Sequence, residues 1–324
     1  MFFSVVYPIL AKGTKKDFHS DFKTMRICPD CHKIVSAMDS VMIGGQYYHK
    51  SCRVCHKCGE VIKLGKHEFG GHVYHASCYL ESLKCCVCGK QVLSPYTDWY
   101  GNVACNEHAH YCTFCGRIIT PAIGGEYPIE YGYLEDGIRN IRNAYICGDC
   151  KSTVISSDTD IERCRQDVMN IFDNNGISGI PVDIPITLSD MLKEEESLGL
   201  TPWGLNYSHI TSASGSYSCK ITMKKDLPEL QFKGTLGHEL LHSWLYLYAI
   251  ELPQNETEGF CNLGSMLIYR YYKSDISDFW VNYIMEQNDD PVYGEGYRLM
   301  KMRLEKLGWK GLMNALLLDN KKTV

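Results

Sequence analysis

At 324 residues and 45% hydrophobic content, the chain is long enough for two or three domains and can bury a sizeable core. Its formal net charge of -5, from 33 basic and 38 acidic side chains, argues against a general phosphate or nucleic-acid binder. No stretch reaches the unbroken apolar length of a membrane span, and the opening MFFSVVYPILAKG lacks a charged leader, so neither a membrane anchor nor a secretion signal is expected.

Residues 1–27 read as a short N-terminal segment, after which the ligands begin. Seventeen cysteines occur in the chain, most of them in C-x2-C, H-x2-C or C-x2-H pairs, which favours metal over disulfides. Ligand thiolates need a reducing compartment, so the expected location is the cytoplasm. Cys28, Cys31, His49 and Cys52 form one set of four, and Cys55, Cys58, His75 and Cys78 the next. Each set closes a tetrahedron with no open position, which is the pattern of structural zinc. This register is the LIM signature, and residues 28–80 resemble a LIM domain. The pattern restarts with Cys85, Cys88, Cys105 and His108, then Cys112, Cys115, Cys147 and Cys150. Residues 81–152 thus resemble a second, divergent LIM-like module, with GGEYPIEYGYLEDGIRNIRNAY as a long insertion in its last finger.

The count closes at 13 cysteines and three histidines, four sites of four. Cys86 would break the two-residue gap to Cys88, and His32, His56, His67, His72 and His110 fall outside the register. Cys164, Cys219 and Cys261 stand alone and are assigned to cores. Modules this small have too little apolar core to fold without metal. No basic recognition helix appears among them, and LIM modules generally bind proteins.

Beyond Cys150 the texture is that of an ordinary folded domain, taken as 153–324. A helix is expected from a cap at Ser156 or Ser157 through DIERCRQDVMNIF to DNNG. IPVDIPITLSD alternates like a strand, and MLKEEESLG reads as a short helix. GLNYSHITSA and SYSCKITMKK read as a strand pair around a Ser/Gly turn, the second a candidate edge for an extended peptide. Everything after 231 reads as helix. The expected fold is α+β: zinc-stapled LIM and LIM-like modules, then a small sheet and a helical block.

Within that block lies GTLGHELLHSWLYLY. On a helix His238 and His242 are only about 40° apart in projection, so both imidazoles can reach one ion. Glu239, about 100° to the side, can contact a water on that ion without ligating it. Zinc with three protein ligands keeps a fourth position for water and lowers its pKa toward about 7, after which Glu239 takes the proton as general base. The helix is apolar nearly all round, so it should be buried, and two buried histidines and a glutamate need partners. No histidine follows His242, so an acid must complete the site: Glu251, Glu256 and Glu258 are the near choices, and helical periodicity does not choose among them. Glu258 would share a face with Cys261 and Ser265, small enough for close approach to the first helix.

In the order LIM, LIM-like module, HELLHSW, EGFCN and PVYGEGYR, the chain resembles the plant DA-one family of LIM-domain, ubiquitin-activated zinc peptidases, from about residue 28 to its C-terminus. The resemblance implies a zincin-like, gluzincin-type metallopeptidase domain with His238, His242 and Glu258 as ligands, Glu239 as general base, and one catalytic zinc beside four structural ones. Plant members carry ubiquitin-interacting helices ahead of the LIM domain. The residues before Cys28 hold no acidic helix of that type, so ubiquitin binding and activation are not carried over. Thr257 stands where family members have a second acid. Tyr293, in the matching PVYGEG, is a candidate oxyanion donor. The expectation is a zinc endopeptidase acting on protein substrates, its LIM modules docking or regulating, with no nucleic-acid or membrane partner. The rival is a non-catalytic LIM adaptor with an inactive peptidase-like domain.

Overall fold

Four times along the chain a C-x2-C pair folds into the same tight turn. The residue after the second cysteine takes a positive φ, at His32, Gly59, Gly89 and Gly116, and its N–H donates to the first cysteine's carbonyl at 2.8–2.9 Å. Flanking each turn is one bridge, Ile27–Ile34, Val54–Val61, Lys84–Gln91 or Tyr111–Ile118. The computed structural model describes residues 26–69, 71–135, 138–189, 204–211 and 216–320, with the backbone alone at 69, 130–135, 138–143, 204–211, 216–217 and 320. It divides into two compact units, residues 1–82 and 83–324.

In the first unit the opening turn leads into a hairpin of β1 (Ser40–Ile43) and β2 (Gln46–His49) and a short helix α1 (Lys50–Arg53). The second finger repeats the plan with β3 (His67–Phe69), β4 (His72–Tyr74) and α2 (Ala76–Ser82). Two small apolar clusters accompany them, Cys28, Val35 and Tyr48 in one, Cys55, Ile62, Val73 and Tyr74 in the other. Asp30 ties the fingers together, accepting from Arg53 at 2.8 and 2.9 Å and lying 3.3 Å from Lys66. The Arg53 hydrogen bond holds its carboxyl below the usual range against the opposing effect of burial.

The second unit opens with the third finger, in which β5 (Tyr96–Thr97) and β6 (Val103–Ala104) pair before a 3-10 turn at Asn106–His108. In the fourth finger the supposed insertion proves to be the finger's own hairpin, lengthened: β7 (Glu126–Glu135) pairs with β8 (Ile138–Cys147), followed by α3 (Gly148–Lys151). The amphipathic α4 (Asp158–Asn174) is capped by Ser157, whose hydroxyl accepts from the Asp160 N–H. Ile161, Cys164, Val168, Ile171 and Phe172 bury one of its faces.

The sheet has the order β10–β11–β9, built from β9 (Ile186–Ser189), β10 (Gly204–Thr211) and β11 (Ser216–Lys224). β9 is shorter than the alternation suggested, because Pro181 and Pro185 have no N–H to give. β11 is not an edge: it pairs antiparallel with β10 and, over 221–224, parallel with β9. Its backbone is therefore committed on both sides over those four residues. The expected helix at MLKEEESLG and the Ser/Gly turn lie outside the described residues.

Helices make up the rest: α5 (Glu229–Leu247), α6 (Gln254–Tyr272), α7 (Asp275–Asp278), a π-helical turn at Phe279–Met285, and α8 (Gly294–Asn320). α8 breaks its helical path at Gly308, φ 65° and ψ 170°, a conformation open to glycine. One hydrophobic core joins α4, α5, α6 and α8 and takes in the thiols of the fourth finger. Cys164 and Cys261 are fully buried in it and Cys219 packs against it. Burial pushes the Cys164 thiol up to about 12, which leaves it inert. Lys233 is also buried, but Asp167 at 2.6 Å, Glu229 and the Tyr272 hydroxyl at 2.7 Å surround its ammonium. Among the described residues no helix is long and apolar enough to cross a membrane.

Candidate metal centres

Each finger gathers two donors from its cysteine turn and two from the end of its hairpin and the helix behind it. The four sets predicted by spacing come together: Cys28, Cys31, His49, Cys52; Cys55, Cys58, His75, Cys78; Cys85, Cys88, Cys105, His108; and Cys112, Cys115, Cys147, Cys150. Within each, donor atoms lie within 4.8 Å of one another. The histidines turn Nδ1 toward the thiols, 3.3 Å from Cys31 for His49 and 3.0 Å from Cys105 for His108. Nε2 of His49 lies 3.0 Å from the Ile34 carbonyl and that of His75 3.4 Å from the Val61 carbonyl, contacts that fix the tautomer leaving Nδ1 free to ligate. Zinc–sulfur bonds of about 2.3 Å in a tetrahedron require sulfurs about 3.8 Å apart. Cys115 and Cys147 are 3.9 Å apart.

None of the seventeen cysteines is in a disulfide. All four donors of the last cluster are buried, unlike those of the others. There hydrogen bonds from Cys115, Cys147 and Cys150 pull the Cys112 thiol far down, and those with Cys112, Cys115 and Cys147 push Cys150 far up. Four thiols so placed cannot all ionise without a cation among them.

A fifth group lies between α5 and α6, consisting of His238, His242 and Glu258. The two Nε2 atoms are 3.0 Å apart, and the Glu258 oxygens lie 3.3 Å from His238 and 3.6 Å from His242. Tetrahedral zinc with bonds near 2.0–2.2 Å needs donor separations of about 3.3 Å, so the set fits. Burial opposes ionisation of Glu258, but hydrogen bonds and attraction from both histidines outweigh it and hold the carboxyl well below its usual range. The side chains keep 15%, 23% and 16% of their surface exposed, and with three donors where the other groups have four, the set leaves a tetrahedral position unfilled by protein.

Glycines bring the helices this close. A Cβ at Gly264 of α6 would lie 2.5 Å from the Gly237 carbonyl oxygen of α5, and one at Gly259 would lie 2.2 Å from the Gly296 carbonyl oxygen of α8. Ser265 adds a hydrogen bond to the Gly234 carbonyl at 2.8 Å. The other two acids are otherwise engaged or remote: Glu256 accepts from Arg303 at 2.9 Å, and the exposed Glu251 lies in the loop after α5. Thr257 turns its hydroxyl to the Leu252 carbonyl.

Glu239 is 5% exposed, on the α5 turn that carries His238. The buried Cys261 thiol registers it as well, raised by burial and further by the carboxylates of Glu258 and Glu239. Tyr293 is half-buried just before α8, its N–H donating to Asp290 at 2.8 Å. Sequence reasoning missed Asn262. Its Oδ1 accepts from His238 Nδ1 at 3.0 Å, and its amide donates to the Tyr293 carbonyl at 3.3 Å, which leaves His238 Nε2 facing Glu258. Its position one helical turn beyond Glu258, on the same face, was the available signal.

These features define a mixed helix and small-sheet protein whose four Cys/His clusters fit zinc in LIM-like modules. The chain is 23% identical over 312 residues to Protein DA1-related 2 of Arabidopsis thaliana, covering 78% of this chain and 54% of that protein. It is 20% identical over 373 residues to Protein DA1 of the same plant, covering 90% of this chain and 66% of that one. LIM domain-containing protein G of Dictyostelium discoideum matches 142 residues at 28% identity, covering 41% of this chain and 44% of that protein. No protein-family model matches the chain. It is a homologue of the DA1 proteins, and it spans between about half and two thirds of the length of those two Arabidopsis relatives.

Proposed function

We propose that the chain is a zinc-dependent endopeptidase acting on protein substrates, with the first two fingers as docking or regulatory elements. The observation that carries the reading is the convergence of His238, His242 and Glu258 on one point, with Glu239 next to His238 on the same helix. A zinc bound there would supply Lewis-acid polarisation of a water and of the scissile carbonyl. Glu239 then takes a proton from the attacking water and returns it to the leaving amine. Asn262 keeps His238 in the tautomer and orientation that ligation needs. The Tyr293 phenol is assigned to donate to the developing oxyanion. Exposed Ile34, Met38, Met42 and Leu64 on the first two fingers favour protein docking there. The free thiols suit the reducing cytoplasm.

Zinc per chain should be five in wild type and four in His238→Ala. Glu239→Gln should keep five and lose cleavage of a denatured protein substrate by about a hundredfold or more. Five zincs in His238→Ala, or no chelator-sensitive cleavage by the wild type, would leave the non-catalytic adaptor.

A further inference from the structure

The fourth cysteine cluster grips the start of the helix that carries the two histidines of the fifth group. Phe114 lies between the ligands Cys112 and Cys115, so its carbonyl cannot shift without moving them. That carbonyl accepts from Gln231 Nε2 at 2.9 Å and from Trp280 Nε1 at 2.7 Å. Gln231 is 1% exposed, in the first turn of α5 and two turns ahead of His238. The other half of the cluster reaches the same place by a second route. The Cys150 carbonyl accepts from the Thr153 hydroxyl at 3.0 Å, and the Thr153 carbonyl accepts from the Glu229 N–H, the first of α5, at 2.9 Å. Val154 bridges to Pro228, and Ile155 donates to the Leu227 carbonyl. Gly116, next to Cys115, has no room for a Cβ because the Phe279 ring would lie 2.4 Å away.

We propose that the fourth cluster and α5 form one mechanical unit, in which a zinc held by Cys112, Cys115, Cys147 and Cys150 fixes the N-terminal end of α5 and thereby the reach of His238 and His242 toward Glu258. This rests on the zinc reading of the fifth group. Gln231 is a positioning residue in it, acting through the helix. Without the Gln231 amide the Phe114 carbonyl keeps Trp280 but no longer holds α5, so the first turns of that helix lose one of their ties to the cluster.

The test uses the full chain. Gln231→Met keeps the volume and removes the donor, leaving every metal ligand in place. Relative to wild type, EDTA should strip its fifth zinc roughly threefold faster or more. The ring 15N signals of His238 and His242 should shift, and amides 229–236 should exchange faster with solvent. Cys147→Ser should show the same changes enlarged. Cys31→Ser, which cuts the first cluster in the other unit, should leave all three at wild-type values. Unchanged release, ring signals and exchange in a folded Gln231→Met protein would overturn the proposal, as would equal changes in Cys31→Ser. A wild type holding only four zincs would remove the peptidase reading instead, and amide exchange over 229–236 in Gln231→Met and Cys147→Ser would still decide whether the clamp exists.

Discussion

The second and fourth fingers share one plan and differ in what surrounds the metal donors. Among the described residues around Cys55, Cys58, His75 and Cys78, the buried apolar cluster is Cys55 with Ile62, Val73 and Tyr74, and Cys58 is itself exposed. Around Cys112, Cys115, Cys147 and Cys150 stands the largest core of the molecule, with Phe172, Phe232 and Trp244 fully buried in it. The same coordination chemistry therefore does two jobs. In the first unit the metal stands in for a core that a segment so small cannot build, while in the second it fastens a finger into a core that exists already.

Removing one ligand from each finger should separate these roles, and this is the largest effect expected. Cys55→Ser takes away the only strong cross-link of its finger, and a structural zinc is worth about 10–16 kcal/mol to a small module. Amides of the second finger should then exchange at free-chain rates while the second unit keeps its melting temperature. Cys147→Ser should lower that temperature yet leave most far-UV helicity in place. Loss of all helicity in Cys147→Ser would put the fourth finger in the same class as the second.

Two glycines sharpen the comparison at a smaller scale. Gly59 follows a ligand at φ 74° with open space around it, so Gly59→Ala meets only the cost of a left-handed conformation, about 1–2 kcal/mol. Gly264 is helical, but its missing side chain is the gap through which α5 and α6 approach. Gly264→Ala must push two packed helices apart, at about 3 kcal/mol, and should weaken any zinc bound by His238, His242 and Glu258 as well. Denaturant titration of Gly264→Ala and zinc competition in Gly59→Ala read the two costs separately.

That contrast also explains how much was legible in the sequence. Fingers announce themselves because ligation fixes residue type and spacing together, so the sixteen residues that gather in the four clusters were named from the chain alone, and His238 and His242 from one helical turn. The helix at DIERCRQDVMNIF and its cap at Ser156 or Ser157 followed from local rules in the same way, and the cap is Ser157. What stayed hidden depends on approach in space. Helical periodicity left Glu251, Glu256 and Glu258 open and only the resemblance singled out Glu258, which the α5–α6 crossing brings to the histidines; the role of Asn262 needed the direction of the His238 ring. The strand at Ser216–Lys224 looked like an edge because its pattern says nothing of the parallel partner β9, some thirty residues earlier. The hairpin at Glu126–Cys147 passed for an insertion because its length, twice that of its counterparts, disguised a shared plan.

The smallest expected effect concerns charge, and it again divides the two units. In the second, Glu229 accepts from Arg163 at 2.6 Å and pairs with the buried Lys233. The Arg163 hydrogen bond leads in holding its carboxyl below the ordinary value of 4.5; burial opposes it and Lys233 assists. A carboxyl depressed in the folded state contributes stability above its unfolded value and loses it as pH falls through the folded one. Glu229→Gln should therefore be less stable than wild type at pH 7, by about 1 kcal/mol given its partial exposure. The difference should shrink as the pH drops below 4.5, because the wild type then gives up the same interaction. In the first unit Glu81 meets Lys57 at 2.7 Å with 60% and 36% of their side chains in solvent. Water screens that pair on all sides, so Glu81→Gln should leave stability unchanged at either pH. Unfolding titrations at pH 7 and pH 3.5 check both. A Glu229→Gln deficit that persists undiminished in acid would assign the loss to packing around Lys233 and not to charge.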